Sequence, residues 1–394
     1  MSRSPAEPTT SAPSTASTAS TTGGASRAAR LDHVRQHMAA RGVDALLLSH
    51  GADLPWLTGY RAMPLERLTV LVVPRDGDAV LVVPGLEAAR VPGGSASFTL
   101  RPWTETEDPV AIAVDLLGPR TATLGISDRA WATSLLAFQK RLPQTRWVAA
   151  STVTSPLRAI KDADEIIQLR AAAQAADRVA AELQAGEIPL VGRTEAEVSE
   201  DISTRLIAQG HRRVNFAIVG SGPNGASPHH EAGSRRIGRG DVVVCDFGGE
   251  YDNGTDVGYC SDITRTVVTG EPEAMVTDCY RVLLAAQQAA VACVGPGTAA
   301  EEVDAVARRV IDDGGFGEYF IHRTGHGIGI EEHEDPYLVA GNRTPLATGH
   351  VFSVEPGIYF PGRFGMRLED IVVVGDDGPD PLNTVDHSLV VVDA

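Results

Sequence analysis

Four acidic side chains and one histidine in the second half of the chain each have a sequence context that would direct them inward. They are Asp246, Asp262, His326, Glu355 and Glu369. Asp246 follows the apolar residues 242–245, and Glu355 follows residues 351–354. Short apolar runs of this kind are typical of buried strands, and a carboxylate at the end of such a strand is costly unless it is paired or bound to a metal. These positions therefore favour a fold that brings several strand ends together.

Four carboxylates and one imidazole form a ligand set for hard divalent cations. Oxygen donors suit Mn, Mg and Ca, and a histidine shifts the preference towards the transition metals. The alternative for these residues is a network of buried ion pairs. Cys245 and Cys260 are neighbours of two of the acidic residues and are further candidate ligands, although a small buried apolar role is typical of free cysteine.

Several motifs in this half resemble those of the pita-bread metallopeptidases. The stretches are DFGG followed by GYCSDITRT, then HRTGHGIGIEEHEDP, FSVEPGIY and GMRLED. Within that family they most resemble the Xaa-Pro branch, which contains aminopeptidase P and prolidase. The similarity extends from about residue 30 to the C-terminus, and the motifs occur in the family's order.

The resemblance implies an α+β fold with two domains. A smaller N-terminal α/β creatinase-like domain is expected over residues 29–155, and a pseudo-symmetric pita-bread domain over residues 156–394. Residues 1–28 are rich in Ser, Thr, Ala, Pro and Gly, a composition that predicts a disordered tail. Periodicity predicts a helix over 31–42, buried strands at 45–48 and 367–374, a hairpin joining 68–73 to 79–83, and a long helix over 164–183.

The resemblance also implies the chemistry. Two divalent ions are expected, manganese first and cobalt or zinc as alternatives, with Asp262 and Glu369 bridging them. Asp246 would bind one ion, and His326 with Glu355 the other. A hydroxide bridging the ions would hydrolyse the Xaa-Pro bond at the N-terminus of peptides or in Xaa-Pro dipeptides, with Glu355 carrying the proton to the leaving nitrogen.

Three more histidines match substrate-contacting positions of the family, and an arginine lies close to Glu369 in sequence. His229 and His333 are expected to be catalytic and to bind substrate, and His322 and Arg367 to bind substrate. Arg367 could also hydrogen-bond Glu369, or be a plain ion-pair partner. His230, next to His229, is expected to be a bystander, since most histidines are structural.

Composition limits the partners. With 34 basic and 51 acidic residues the net charge is −17, which argues against nucleic-acid or anionic-membrane partners. There is no long apolar span or signal-like segment, and the four cysteines form no CxxC pair, so a reducing cytoplasm is expected. The expected partners are small peptides with proline at the second position and a second copy of the chain in a homodimer.

Other readings remain open from the sequence. A related two-metal hydrolase or lyase could act on another small substrate, and a binding module of the same fold could lack catalysis. Asp252 or Asp256, in the long loop before Asp262, could replace Asp246 as a ligand. A dipeptidase must also recognise a free carboxylate, for which Arg343 and Arg363 are candidates.

Overall fold

The computed structural model describes residues 20–92, 97–119, 121–255 and 257–392, with only the backbone described for residues 20–26. Helix α1 runs over Ser20–Arg41 and so overlaps the end of the tail predicted over 1–28; residues 1–19 lie outside the described part. The physical reason for the overlap is propagation. Leu31, Val34 and Met38 fix the helix on the core, and extending a formed helix costs far less than starting one.

The N-terminal domain is a mixed six-stranded sheet with helices on both faces. Its strands are β1 (Ala45–Leu48), β2 (Val70–Pro74), β3 (Val80–Pro84), β4 (Thr99–Trp103), β5 (Thr123–Ile126) and β6 (Arg146–Ala149), in the spatial order β4-β3-β2-β1-β5-β6. Its other helices are α2 (Asp53–Thr58), α3 (Pro109–Asp115), α4 (Ala132–Arg141) and α5 (Ser151–Ala159). The predicted strand at 45–48 and the hairpin are confirmed. Strands β4 and β6 were not predicted.

All four residues of β1 are buried because both faces of this sheet are covered. Leu46 and Leu48 pack into the cluster that holds the α1 side chains. Ala45 and Leu47 pack into the cluster on the opposite face. Successive side chains of β1 therefore enter two different cores, which explains why the strand is a continuous run of apolar residues.

The C-terminal domain contains four helices and eleven strands among the described residues. The helices are α6 (Ala163–Gln184), α7 (Glu195–Ala208), α8 (Ala274–Cys293) and α9 (Ala300–Asp313). One sheet has the order β17-β9-β8-β7, from β7 (His211–Ser221), β8 (Val242–Tyr251), β9 (Cys260–Thr269) and β17 (Val390–Val392). A second has the order β11-β10-β12-β15-β16, from β10 (Gly325–Gly327), β11 (Glu334–Leu338), β12 (Val351–Val354), β15 (Asp370–Val374) and β16 (Pro379–Pro381). The hairpin β13 (Gly357–Phe360) with β14 (Phe364–Arg367) completes the domain.

The two larger sheets meet at one backbone bridge, between Thr264 of β9 and Glu369. Helices α6 and α7 cover the first sheet and α8 and α9 the second, each pair around its own apolar core. The predicted α+β fold with two such halves is confirmed. The strand predicted over 367–374 is divided, because Arg367 ends β14 and β15 starts at Asp370.

Helix α5 joins the two domains. It contains position 155, where the boundary was predicted, and its Val153 belongs to an apolar cluster that includes residues of both domains. Its last turn contacts β11 of the C-terminal domain through Arg158. No helix in the described residues is long and apolar enough to cross a membrane.

Candidate metal centre

The predicted ligands meet where the two sheets of the C-terminal domain join. Asp246 on β8 and Asp262 on β9 lie on paired strands, with Gly248 opposite Asp262. Because Asp246 and Gly248 are two residues apart, both aspartates project from the same face. Glu369 lies beside them through its bridge to Thr264.

The second half supplies the remaining two ligands from neighbouring strands. Glu355 follows β12, and His326 is the central residue of β10, which pairs with β12. A Cβ at Gly325 would collide with the carbonyl oxygen of Ser353, and one at Gly327 with that of Asp335. Glycine on each side of His326 therefore lets β10 fit between its two neighbours and point the imidazole at the carboxylates.

His326 lies close to three of the four carboxylates, and Asp246 lies near Asp262 and Glu369. His326 Nε2 lies 3.1 Å from Glu355 Oε1 and 3.7 Å from Asp262 Oδ2. Ligating atoms of Asp262, His326 and Glu369 all lie within 4.8 Å of each other. Asp246 lies close enough to Asp262 and Glu369 for its charge to raise the pKa of both. The structure therefore brings all five predicted residues to one site.

Three buried carboxylate oxygens at this site have no hydrogen-bond partner. They are Asp246 Oδ1, Asp262 Oδ1 and Glu369 Oε1. Buried polar atoms nearly always find a partner, and an unpaired buried carboxylate is costly. Divalent cations would satisfy these oxygens, so the residues present fit the metal ions that the resemblance implies.

The pKa values of the carboxyl groups show how unevenly charge is compensated. Burial, followed by the charges of neighbouring carboxylates, raises the pKa of Asp262 and Glu369 well above its ordinary value. Burial also raises the pKa of Asp246, although Arg367 opposes the shift. Burial would raise the pKa of Glu355 too, but the hydrogen bond and charge of His326 lower it to about 2. Glu355 therefore ionises more readily than Asp246, Asp262 and Glu369, the other carboxyl groups of the site.

Arg367 is buried inside the site and forms an ion pair with Asp246, so of the two roles left open by the sequence the structure shows the ion pair and no direct hydrogen bond to Glu369. Its Nε donates to Thr264 Oγ1 at 3.1 Å, and that hydroxyl donates to Glu369 Oε2 at 2.7 Å. Its Nη1 donates to Tyr359 Oη at 2.7 Å. Arg367 therefore reaches Glu369 only through a threonine, and its donors are engaged by protein groups.

His322 lines the same cavity with both ring nitrogens occupied. Its Nδ1 donates to the Arg323 carbonyl at 2.7 Å, and its Nε2 lies 2.9 Å from Tyr359 Oη. Burial lowers the pKa of His322, so Nε2 of the neutral ring accepts from Tyr359. Thr264 and Tyr359 are contributors that sequence reasoning missed. Strand alternation two residues after Asp262 could have indicated Thr264.

His333 stands at the mouth of the site. Its ring centroid lies 3.9 Å from that of His326, and Arg323 Nη2 lies 3.4 Å from its Nδ1. Burial, then the charges of His326 and Arg323, lower the pKa of His333 to about 4. Because a guanidinium can only donate, Nδ1 accepts and the proton of the neutral ring is on Nε2.

The predicted residues line one cavity of about 600 Å³. His229, His322, His333 and Arg367 surround the five ligands, and Phe216, Ile218 and Pro228 form an apolar wall that the sequence did not reveal. His230 is directed away and hydrogen-bonds Glu195 Oε2 at 2.8 Å, as expected of a bystander. Such a cavity, with converging polar groups and shifted pKa values, is typical of an active site.

Three of the alternative ligands have other roles. Asp252 pairs with Arg212 at 2.8 Å, and Asp256 lies outside the described residues. Burial raises the pKa of Cys245 to about 12, and Cys260 donates to the Ile330 carbonyl at 3.5 Å. Both thiols therefore have the small buried role that free cysteine usually plays.

A second cluster of buried charges anchors the segment that carries His333. Glu334 lies between Arg158 of α5 and Lys161, whose Nζ is 2.6 Å from Glu334 Oε1. Arg158 also donates to Asp53 of the N-terminal domain at 3.0 Å and to Glu331 at 2.6 Å. Burial would raise the pKa of Glu334, but Lys161 and Arg158 lower it. Arg129 forms an ion pair with Glu331. We call these six residues the interdomain cluster.

Known proteins share both the fold and the sequence of this chain. The model of metallopeptidase family M24 matches residues 167–376, and that of the creatinase/prolidase N-terminal domain matches residues 30–160. The chain belongs to metallopeptidase family M24. This peptidase is a hydrolase with the pita-bread fold, on the Xaa-Pro branch.

Individual relatives of this peptidase span almost its whole length. A probable dipeptidase PepE of Mycobacterium bovis is 45% identical over 357 residues, which are 90% of this chain and 93% of that one. The structure of dipeptidase PepE from Mycobacterium ulcerans has a TM-score of 0.86 at 44% identity, covering 94% and 98%. A prolidase from Thermococcus sibiricus has a TM-score of 0.85 at 37% identity, covering 92% and 98%.

Proposed function

We propose that this peptidase hydrolyses Xaa-Pro dipeptides with the help of two divalent cations. The observation that carries the proposal is the convergence of three buried, unpartnered carboxylate oxygens in a cavity with an apolar wall. Manganese is the expected metal, with cobalt or zinc as alternatives, because carboxylates with a single imidazole suit hard and borderline ions.

The arrangement of the side chains supports the ligand roles that the resemblance implies. Asp262 and Glu369 have the most strongly raised pKa values among the carboxyl ligands, which suits them to bridge two ions. Asp246 would be a further ligand of one ion. His326 and Glu355, whose ligating atoms are 3.1 Å apart, would bind the other. When bound, the cations would activate a water nucleophile and polarise the substrate carbonyl.

The protein side chains supply proton transfer and charge stabilisation. Glu355, ionised with a pKa of about 2, would accept a proton from the nucleophile and deliver it to the leaving nitrogen. His333 carries its proton on Nε2, so it would donate a hydrogen bond to the carbonyl oxygen as negative charge develops there. His229 lines the same mouth and would contact the substrate beside it.

The apolar wall of the cavity supports a preference for substrates with proline at the second position. The bond before proline is a tertiary amide without an N–H, so a peptidase cannot hold that residue by the usual backbone hydrogen bond. Phe216, Ile218 and Pro228 offer apolar contact to the ring instead. Arg367 and His322 would shape this wall, since their polar atoms are already bonded to protein groups.

The proposal is tested by metal reconstitution followed by comparison of substrates. Chelated protein should rebind about two equivalents of metal per chain, and kcat/KM should be higher for Xaa-Pro than for Xaa-Ala. The Asp262→Asn variant is the inactive control. Metal binding without peptide hydrolysis would favour a binding module or a lyase, and equal rates for Xaa-Ala would remove the proline assignment. The homodimer and the cytoplasmic location stay predictions.

A further inference from the structure

Three connected cavities meet at His333, and six arginines line them. Five have carboxylate partners at the distances of ion pairs: Arg61 and Arg213 with Glu250, Arg129 and Arg158 with Glu331, and Arg367 with Asp246. Among the described residues, Arg323 has no carboxylate partner. A guanidinium facing a cavity with its charge unpaired is a binding group for an anion.

Arg323 is held in place by contacts that leave its charge available. Its guanidinium carbon lies 4.4 Å from the ring centroid of Tyr337, and Nη2 reaches His333 Nδ1 at 3.4 Å. The next residue, Thr324, donates its hydroxyl to the buried Asp304 at 2.7 Å. Stacking and a fixed backbone together reduce the side-chain entropy that binding an anion would otherwise cost.

The arginines suggested by the sequence do not reach the cavity. The Arg343 side chain is 86% exposed and pairs with Glu301. Arg363 lies over the rings of Phe360 and Phe364, on a different surface depression. Arg323 is thus better placed than either to recognise a substrate carboxylate.

We propose that Arg323 binds the free C-terminal carboxylate of a dipeptide and so makes the enzyme selective for dipeptides. This inference rests on the proposed function, in which His333 marks the position of the scissile carbonyl oxygen. In a dipeptide, the carboxylate is one residue, roughly 3.5 Å of chain, beyond that carbonyl. Arg323 contacts His333 and lines the same cavity, so it is within about one residue of that carbonyl, where a longer peptide would present a neutral amide.

The test compares an Xaa-Pro dipeptide with its C-terminal amide. The wild-type enzyme should prefer the free acid. Arg323→Gln should lower kcat/KM for the acid roughly 30- to 100-fold, as expected for losing one partner of a hydrogen-bonded charge pair. It should change kcat/KM for the amide less than about threefold, because the amide carries no charge to lose.

Matched variants separate recognition from structural damage. Arg343→Gln removes an arginine outside the cavity and should leave both rates unchanged, while Arg323→Lys should retain part of the acid preference because the charge remains without the planar fork. The loss in Arg323→Gln should appear mainly in KM, since the carboxylate is bound in ground and transition states alike. Metal content should equal that of the wild type.

Each outcome separates this inference from the proposed function. Two outcomes overturn the role of Arg323 alone. In one, the wild-type enzyme prefers proline but does not prefer the free acid over the amide. In the other, Arg323→Gln lowers kcat/KM equally for acid and amide. An acid preference that persists while Xaa-Ala and Xaa-Pro are cleaved equally overturns the proline assignment alone. Failure to cleave any dipeptide overturns both.

Discussion

The metal centre and the interdomain cluster both contain buried acidic side chains, but only in the interdomain cluster does the protein pair each of these with an arginine or a lysine. In the interdomain cluster, Glu334 is enclosed by Arg158 and Lys161, and its pKa is lowered despite burial. In the metal centre, Asp262 and Glu369 are equally buried but have raised pKa values. The difference lies in the number of cations that the protein itself provides.

Charge balance separates a structural cluster from a binding site in this molecule. The interdomain cluster sets three carboxylates, of Asp53, Glu331 and Glu334, against three cations, of Arg129, Arg158 and Lys161. The metal centre sets four carboxylates against the single guanidinium of Arg367. Buried carboxylates stay ionised together only if cations are bound beside them, and two divalent ions would supply that positive charge.

Replacing a bridging carboxylate should have the largest effect. Asp262→Asn should lower metal affinity by more than about 100-fold, beyond the loss typical of residues that only support a ligand, and should abolish activity. The metal-free variant should be more stable than metal-free wild type, because an unfavourable buried charge is gone. Elemental analysis and urea unfolding measure the two effects. Asp252→Asn, on the adjacent loop, is the control, and full metal occupancy in Asp262→Asn would contradict the ligand assignment.

Removing a carboxylate from the interdomain cluster should destabilise the metal-free protein, the opposite of the effect expected for Asp262→Asn. Glu334→Gln leaves Arg158 and Lys161 buried with one carboxylate fewer, so the free energy of unfolding should fall by about 3–5 kcal/mol. Urea unfolding of metal-free protein measures it. The control is Glu105→Gln, which removes an exposed ion pair with Arg67 and should cost less than about 1 kcal/mol. A stabilising Glu334→Gln would mean that the two clusters do not differ as described.

His333 links the two regions, since it stacks on His326 and precedes Glu334. His333→Ala should lower kcat by roughly 100- to 1000-fold, the usual cost of one hydrogen-bond donor to a developing oxyanion. Its metal content should not change, whereas His326→Ala should lose both metal and activity. Loss of metal in His333→Ala together with retention in His326→Ala would show that the two histidines have exchanged roles.

The smallest effect is a pH dependence with opposite signs in the two regions. Asp262 and Glu369 have raised folded pKa values, so their contribution to the stability of metal-free protein is complete below the unfolded pKa, near 4. It is lost as pH rises through the folded values, at up to about 1.4 kcal/mol per pH unit for each group. Glu334 has a lowered pKa, so its contribution is present above the unfolded pKa and lost as pH falls.

Unfolding of metal-free protein across pH, with the single variants, separates these contributions. Asp262→Asn should weaken the loss of stability at higher pH, and Glu334→Gln should weaken the loss at acid pH. Identical pH profiles for wild type and Asp262→Asn would show that Asp262 does not carry an unfavourable charge in the metal-free state.

Much of the metal centre could be predicted because each ligand leaves a local trace. Asp246 and Glu355 end apolar runs, and His326 lies between glycines, so residue type, burial and strand period pointed to the same five positions. The helices and most strands followed from periodicity in the same way. The predictions and the structure differ at the ends of elements, as at Ser20 of α1, where a helix formed on the core extends further, and at the break after Arg367.

The sequence by itself determined which side chains could hold metal and which segments would be strands. Only the tertiary structure decided how their charges are compensated. Arg158 and Glu334 are 176 residues apart, Arg367 and Asp246 are 121 apart, and Arg323 has no carboxylate partner in the part of the chain that the structure describes. The physical reason is that pairing between distant residues depends on the packing of whole sheets and domains, whereas strand and ligand patterns repeat over a few neighbouring residues.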